Sequence, residues 1–319
     1  MSLKEIAVPG SAANLGGGFD TLAVAVQLYL RLQIVDIRDD GGSKLTVVSS
    51  FPPVRGRNAV ERAYDAMVQW TGHRTPSVFA EVITDVPMSA GLGSSAAAVV
   101  AGLRAFEHVA GVVPEDVLLA VATSLEGHPD NAAAALHGGL VSVVERQGTE
   151  PMVLRWQWPD DLRLIVATPA TGLSTSKARA ALPDAISRKD AVFNLQRVLS
   201  LVHALQSGEY DRLKEAVRDR WHQPARATLV PQLAAVLALD DPEILGSFLS
   251  GAGPSVAVLA RREFARLEQL LKSVYERAGT AVTVRTLSVH QSAVAPAALR
   301  RDKPLEMPDA LASVHGRAL

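Results

Sequence analysis

The sequence contains no cysteine. Disulfide bridges, thiolate metal sites and cysteine nucleophiles are thereby excluded together. It also lacks an excess of either charge: 32 Lys and Arg stand against 33 Asp and Glu, a formal net charge of −1. The basic residues are scattered, so no nucleic-acid partner is expected. No run approaches the ~18 apolar residues of a membrane span. Met1 to Pro9 carries Lys4 and Glu5 where a signal peptide would have an apolar core. The expectation is a cytoplasmic protein without a membrane partner. No internal repeat is apparent. What is present is 319 residues, 48% hydrophobic and 20% charged, enough to bury a core and suited to two domains.

One stretch organises the rest: Pro87-Met88-Ser89-Ala90-Gly91-Leu92-Gly93-Ser94-Ser95-Ala96-Ala97. Two glycines one residue apart let backbone approach a ligand closely, and the apolar run from Ala96 to Leu103 places a helix N-terminus behind them. Free amides and the positive end of a helix dipole favour phosphate there. Ser94 and Ser95 can each bond a phosphate oxygen or ligate magnesium. A Walker loop would end in Gly-Lys-Ser/Thr, and no lysine follows these glycines. The spacing Gly91-x-Gly93-x-x-Ala96 loosely fits a dinucleotide fingerprint, but that motif needs a strand after its helix. Another helix, Glu115 to Leu125, is expected instead.

Before this loop, a short strand from Ile6 to Pro9 is expected to run into a bend from Gly10 to Asp20 containing Gly16, Gly17 and Gly18. Asn14 and Asp20 are polar groups at either end of that bend. Leu28, Leu30, Leu32 and Ile34 alternate with polar residues as in a half-buried strand, and a turn at Asp39 to Gly42 leads to a strand from Lys44 to Ser49. Asn58 opens a helix with Val60, Ala63, Tyr64, Met67 and Val68 on its inner face, closed by Gly72. A strand from Val78 to Thr84 enters the loop. After it, Glu126-Gly127-His128-Pro129-Asp130-Asn131 crowds polar side chains at a helix junction. A carboxylate near phosphates is repelled unless a cation intervenes, so Glu126 makes sense as a magnesium ligand opposite a loop serine.

Leu140 to Glu145 is expected as the last strand of the first half, and Gly148 to Pro159 as the boundary. In the second half, a strand from Leu162 to Thr168 precedes Thr171 to Arg179, where hydroxyls and two cations at a helix start suggest an anion site. Helices are expected from about Asp190 to Gln206 and from Tyr210 to Trp221, the latter running into His222-Gln223-Pro224-Ala225-Arg226. Gly246 to Ser255 is expected to bend between two apolar strands, the second from Val256 to Ala260. A helix from Arg262 to Ala278 and a strand from Ala281 to Thr286 follow. The expected division is 1–150, 151–295 and a tail, 296–319. Strands and helices in this order indicate α+β rather than a doubly wound sheet.

Three stretches, Ser11 to Asp20, Pro87 to Ala97 and Ser250 to Ser255, resemble the three motifs of the GHMP small-molecule kinases. Glu126 to Asn131, Ser174 to Arg179 and His222 to Arg226 are most similar to the homoserine kinases among them. The resemblance implies an α+β two-domain fold, with an N-terminal ribosomal-protein-like domain and a C-terminal ferredoxin-like α/β sandwich. It implies ATP bound by Pro87 to Ala97 with Asn58, and Mg2+ held by Glu126 with Ser94 or Ser95. It places Asn14, Asp20, His128, Asn131 and Gly251 at the substrate, with Arg179 and Arg226 on its carboxylate. Glu126, Asp130 and Asn131 form the catalytic group, with Asn131 facing the hydroxyl and no dedicated base. A homodimer is suggested as well. Gly17 stands where these kinases usually have proline, and Gln223 and Ala225 replace a common glutamate and tyrosine. The region before Gly91 lacks the usual arginine.

The implied reaction is transfer of the γ-phosphoryl group of ATP to the hydroxyl of L-homoserine. The residue types agree independently, because a zwitterion with one hydroxyl needs a cation, an acid or amide, and a path to the phosphate. The alternatives are a kinase for another small alcohol, a non-catalytic ligand sensor on the same fold, and a dinucleotide-dependent oxidoreductase.

Overall fold

The computed structural model describes residues 4–53, 56, 58–146, 151–295 and 305. The first half contains β1 (Lys4–Ala13), β2 (Leu22–Arg38), β3 (Leu45–Phe51), α1 (Ala59–Thr71), β4 (Ser77–Thr84), α2 (Ser94–Ala110), α3 (Glu115–Glu126), α4 (Asp130–His137), β5 (Leu140–Val144) and β6 (Met152–Trp156). Its sheet runs β3-β4-β2-β5-β6, with β1 paired to β2. All of its pairings are antiparallel except β3 with β4.

The second half contains β7 (Arg163–Pro169), α5 (Thr175–Ala180), α6 (Arg188–Ser207), a 3-10 turn leading into α7 (Leu213–Ala216), α8 (His222–Arg226), α9 (Leu233–Leu237), β8 (Gly246–Leu249), β9 (Val256–Ala260), α10 (Phe264–Arg277) and β10 (Val282–Leu287). Its four strands lie in the order β10-β7-β9-β8, all antiparallel. With helices after β7 and after β9, this is the βαββαβ order of ferredoxin-like layers. The mixed α+β, two-domain expectation holds.

Several local expectations are corrected. β1 does not stop at Pro9 but continues through Ala13, so the glycine bend starts at Asn14. β2 starts at Leu22 rather than Leu28. Its first five residues show no alternation because both faces are covered. Ala23 and Ala25 enter the core beneath α1 to α4, while Leu22, Val24 and Val26 enter the core shared with the second half. The stretch read as a boundary contains β6, which extends the first sheet beyond β5.

The helix expected from Tyr210 to Trp221 ends at Ala216. There the carbonyl of Val217 meets Gly16 so closely that a Cβ on Gly16 would lie 2.0 Å from it. Asp219 then accepts the amides of Trp221 at 3.0 Å and Gln223 at 2.7 Å, starting α8 as a separate turn. After β10 the chain returns to the first half, where His290 donates to the carbonyl of Ala25 at 3.0 Å and Val294 to that of Leu136 at 2.9 Å. The expected tail lies outside the described residues except Leu305, which is buried in the first core.

Candidate active site

The helix start foreseen behind Gly91 and Gly93 is present. α2 begins at Ser94 with Gly93 as its cap in a left-handed conformation. The first-turn amides of a helix have no partners within it, and a 17-residue helix adds its positive end. Both glycines also answer to protein packing. A Cβ on Gly91 would lie 2.2 Å from the carbonyl oxygen of Ser250, and one on Gly93 would lie 2.2 Å from Ser11 Oγ. The third motif therefore presses on the second from behind. Ser250 Oγ donates to the carbonyl of Gly91 at 2.7 Å, Ser255 N to that of Ala90 at 3.2 Å, and Gly251 N to that of Ala13 at 3.0 Å.

A cavity of about 470 Å³ opens in front of this seam. Asn14, Asp20, Asn58, the loop from Met88 to Ala96, Glu126, His128, Asp130, Asn131, Arg179, Arg226 and Gly251 all line it. Two residues of the expected loop do not. Pro87 faces a neighbouring cavity between the two halves. Ala97 is fully buried in the helical core, its amide bonded to the carbonyl of Gly93 at 2.9 Å. Asn58 borders the cavity while its side chain accepts the amide of Glu61 at 3.1 Å, capping α1.

Glu126 ends α3 and reaches across to α2, where its Oε1 accepts Ser95 Oγ–H at 2.7 Å. Among the described residues no cluster of three His, Asp or Glu side chains could hold a metal. One carboxylate beside hydroxyls suits Mg2+, which takes few protein ligands and completes its shell with water and phosphate.

Asp130 is only 2% exposed at the start of α4. Its Oδ1 accepts from His128 Nδ1 at 2.8 Å, Asn131 N at 2.7 Å and Asn131 Nδ2 at 3.1 Å. The side chain so fixed directs its neighbours. Asn131 Oδ1 in turn accepts Ser11 Oγ–H at 2.8 Å. Burial presses the His128 imidazole toward neutrality, but the hydrogen bond and charge of Asp130 outweigh it and hold its pKa above the usual value.

Asp20 and Arg179 bond each other in a two-pronged pair at 2.9 and 2.8 Å rather than standing apart as two separate sites. Arg226 is 2% exposed. It donates to the carbonyls of Ala178 at 3.2 Å and Gly251 at 3.1 Å, and to His222 Nδ1 at 3.3 Å. Among the described residues it forms no ion pair. Burial first, then the like charge of Arg179, bring its pKa down to about 10. His222 donates through Nε2 to the carbonyl of Gly16 at 2.8 Å. Burial depresses this imidazole against the opposing charge of Asp219, 3.7 Å away. Asn14 Nδ2 donates to the carbonyl of Gly251 at 2.9 Å. Phe19, also in the cavity wall, was not singled out from the sequence; its position in a glycine-rich bend between Asn14 and Asp20 was the available signal.

The chain and its order of elements are similar to known proteins. The chain matches the GHMP kinases N terminal domain over residues 58–139 and the GHMP kinases C terminal domain over 201–280. It is 34% identical to a homoserine kinase of Solibacter usitatus over 87% of this chain and 91% of that protein. It is 36% identical to one of Thermus thermophilus, covering 82% and 88%. The crystal structure of homoserine kinase from Cytophaga hutchinsonii superposes with a TM-score of 0.79 at 26% identity, over 92% of this chain and 96% of that one. Lactococcus lactis galactokinase shares the fold alone, with a TM-score of 0.70 at 14% identity, over 92% and 95%. Matched in both halves and aligned with such relatives along most of its length, this chain belongs to the GHMP kinase family, whose members phosphorylate small molecules with ATP.

Proposed function

We propose that this enzyme transfers the γ-phosphoryl group of ATP to the hydroxyl of L-homoserine, giving O-phospho-L-homoserine for threonine biosynthesis. The observation that carries this reading is the meeting of Arg179 and Arg226 with Asp20 and Asn14 in the same cavity as the α2 N-terminus. Two guanidiniums suit a carboxylate, and an acid with an amide suits an ammonium. A sugar would need neither arginine. The homoserine kinases that are 32–36% identical to this chain point the same way.

In this reading the amides from Gly91 to Ala96 and the hydroxyls of Ser94 and Ser95 surround the phosphates, and Asn58 borders the nucleotide. Glu126, with a loop serine, would hold Mg2+, whose charge offsets that of the phosphates. His128, Asn131 and Gly251 face the acceptor. Catalysis rests on positioning and charge neutralisation, because the transition state for phosphoryl transfer is loose. A cytoplasmic location and a homodimer complete the reading; cell fractionation and sedimentation check them.

Asp130 orients His128 and Asn131 rather than taking the hydroxyl proton. Asp130→Asn is therefore expected to lower turnover by less than about tenfold, against the ~10²-fold or more of a lost general base. Its effect on stability has a sign set by His128. The folded imidazole titrates above its unfolded value of ~6.5. The stabilisation is thus complete below that pH and fades as pH rises through the folded pKa. Thermal melts of wild type and variant should differ most near pH ~6 and converge in alkali.

Glu126→Gln is expected to lower kcat about thirtyfold and to raise the Mg2+ needed for half-maximal rate, since one charged contact of ~2 kcal/mol is lost. Unchanged Mg2+ dependence would remove Glu126 from the metal. The function itself is tested by ADP release with homoserine, mevalonate, shikimate and galactose as acceptors. Homoserine should give the highest kcat/KM, and a preference for another alcohol would replace the acceptor in this reading.

A further inference from the structure

The glycine bend between β1 and β2 carries one aromatic side chain, Phe19, and directs it at both arginines of the cavity. Its ring centroid lies 5.5 Å from the Arg179 guanidinium carbon and 5.3 Å from that of Arg226. The two arginines come from separate short helices, α5 and α8. The ring is backed by Trp221 at 4.7 Å and His222 at 5.6 Å. Phe19 itself borders the cavity.

The chemistry around Arg226 explains why an aromatic ring is suited here. Its partners are two carbonyls and a neutral imidazole. Arg179 opposes its charge, whereas Asp20 and Asp219 offset it only from a distance. Asp20 already meets Arg179 in a two-pronged pair, and a further carboxylate on Arg226 would occupy the position a substrate carboxylate must take. The negative face of an aromatic ring attracts both cations within ~6 Å without using any of their N–H donors. A leucine of similar bulk would fill the space and leave the repulsion in place.

Building on the acceptor reading above, we infer that Phe19 is a positioning residue whose ring holds the Arg179 and Arg226 guanidiniums side by side, so that one substrate carboxylate meets both. Phe19 touches no reacting atom in this account. Its influence is confined to the carboxylate end of the acceptor.

The test keeps the full-length enzyme and alters the ring electronically. Phe19 is replaced by mono-, di- and trifluorophenylalanine, which retain the shape while weakening the negative face, and by leucine. KM for L-homoserine should climb with each fluorine and reach about tenfold in Phe19→Leu, as expected for losing two partly buried cation–π contacts. kcat and KM for ATP should stay within about twofold, and Phe19→Tyr should restore wild-type KM. With 3-amino-1-propanol, an acceptor lacking the carboxylate, kcat/KM should be nearly indifferent to the ring. A flat KM across the fluorinated series, or an equal loss with 3-amino-1-propanol, would overturn the inference, because either outcome assigns the ring to packing alone. A second measurement stands whatever the acceptor. In the ligand-free protein the Nε–H resonances of Arg179 and Arg226 should be displaced upfield by the ring current and relax in Phe19→Leu. Undisplaced resonances would sink the inference even in an active kinase. Displaced resonances in an enzyme that ignores homoserine would leave the stack standing and refute the acceptor instead.

Discussion

Arg226→Met is expected to lower kcat/KM for L-homoserine by about a thousandfold while KM for ATP stays within about twofold. Truncating one member of a buried charged contact costs on the order of 2–5 kcal/mol, and Arg226 is a buried cation that pairs with no carboxylate among the described residues. The same substitution should spare the fold. Burial holds the guanidinium pKa down to about 10, so the charge is disfavoured in the folded state at neutral pH. That penalty is present below pH ~10 and relieved as pH rises from there toward the ordinary arginine range. Methionine removes the penalty and keeps most of the volume, whereas the carbonyls of Ala178 and Gly251 lose a donor. The two effects oppose, and the melting temperature should move by no more than about 3 °C. Steady-state kinetics with each substrate varied, beside a thermal melt, checks both halves. A variant that melts far below wild type would recast Arg226 as a structural residue.

Gly91→Ala should be nearly as damaging for a different reason, lowering kcat/KM about 10²-fold and raising KM for both substrates. Gly91 has φ +73°, and a Cβ there would sit 2.2 Å from the Ser250 carbonyl, 2.8 Å from Gly253 N and 2.9 Å from Gly253 O. All three are backbone atoms with no rotamer to yield. The loop and the turn from Ser250 to Ser255 would have to part by roughly 1 Å, a displacement that can cost ~10²-fold in rate. The left-handed conformation adds ~1 kcal/mol for any residue with a Cβ. Because the turn also bonds Ala13 and Asn14, its displacement reaches the acceptor side as well as the phosphate side. A rise in KM for ATP alone would place the strain within the loop instead.

Gly91 answers to two demands at once. Gly-Leu-Gly-Ser-Ser pointed to close approach, but a ligand and the third motif ask for the same absence of a side chain, and local spacing cannot separate them. The polar run from Glu126 to Asn131 was legible because hydrophilic side chains are out of place between two apolar helices. Its internal wiring, three bonds converging on one Asp130 oxygen, depends on three-dimensional placement. Arg179 and Asp20 were visible as charges, whereas their mutual pairing spans 159 residues of chain. Strand boundaries failed where burial on both faces erased the period of two, as in Leu22 to Val26. Helix α7 stopped early because Gly16, far away in sequence, crowds the Val217 carbonyl.

The bonds from Ser250 Oγ and Ser255 N that sew the turn after β8 to the glycine loop both end on main-chain carbonyls, so side-chain replacement within the loop leaves the acceptors in place. Such a join is inherited with the chain trace rather than with its spelling. Under the proposed function, the mould for the nucleotide can thus persist while the residues assigned to the acceptor are exchanged. A scaffold of this kind would let new acceptors arise from a handful of changes near Asp20, Arg179 and Arg226, without the nucleotide cradle being rebuilt.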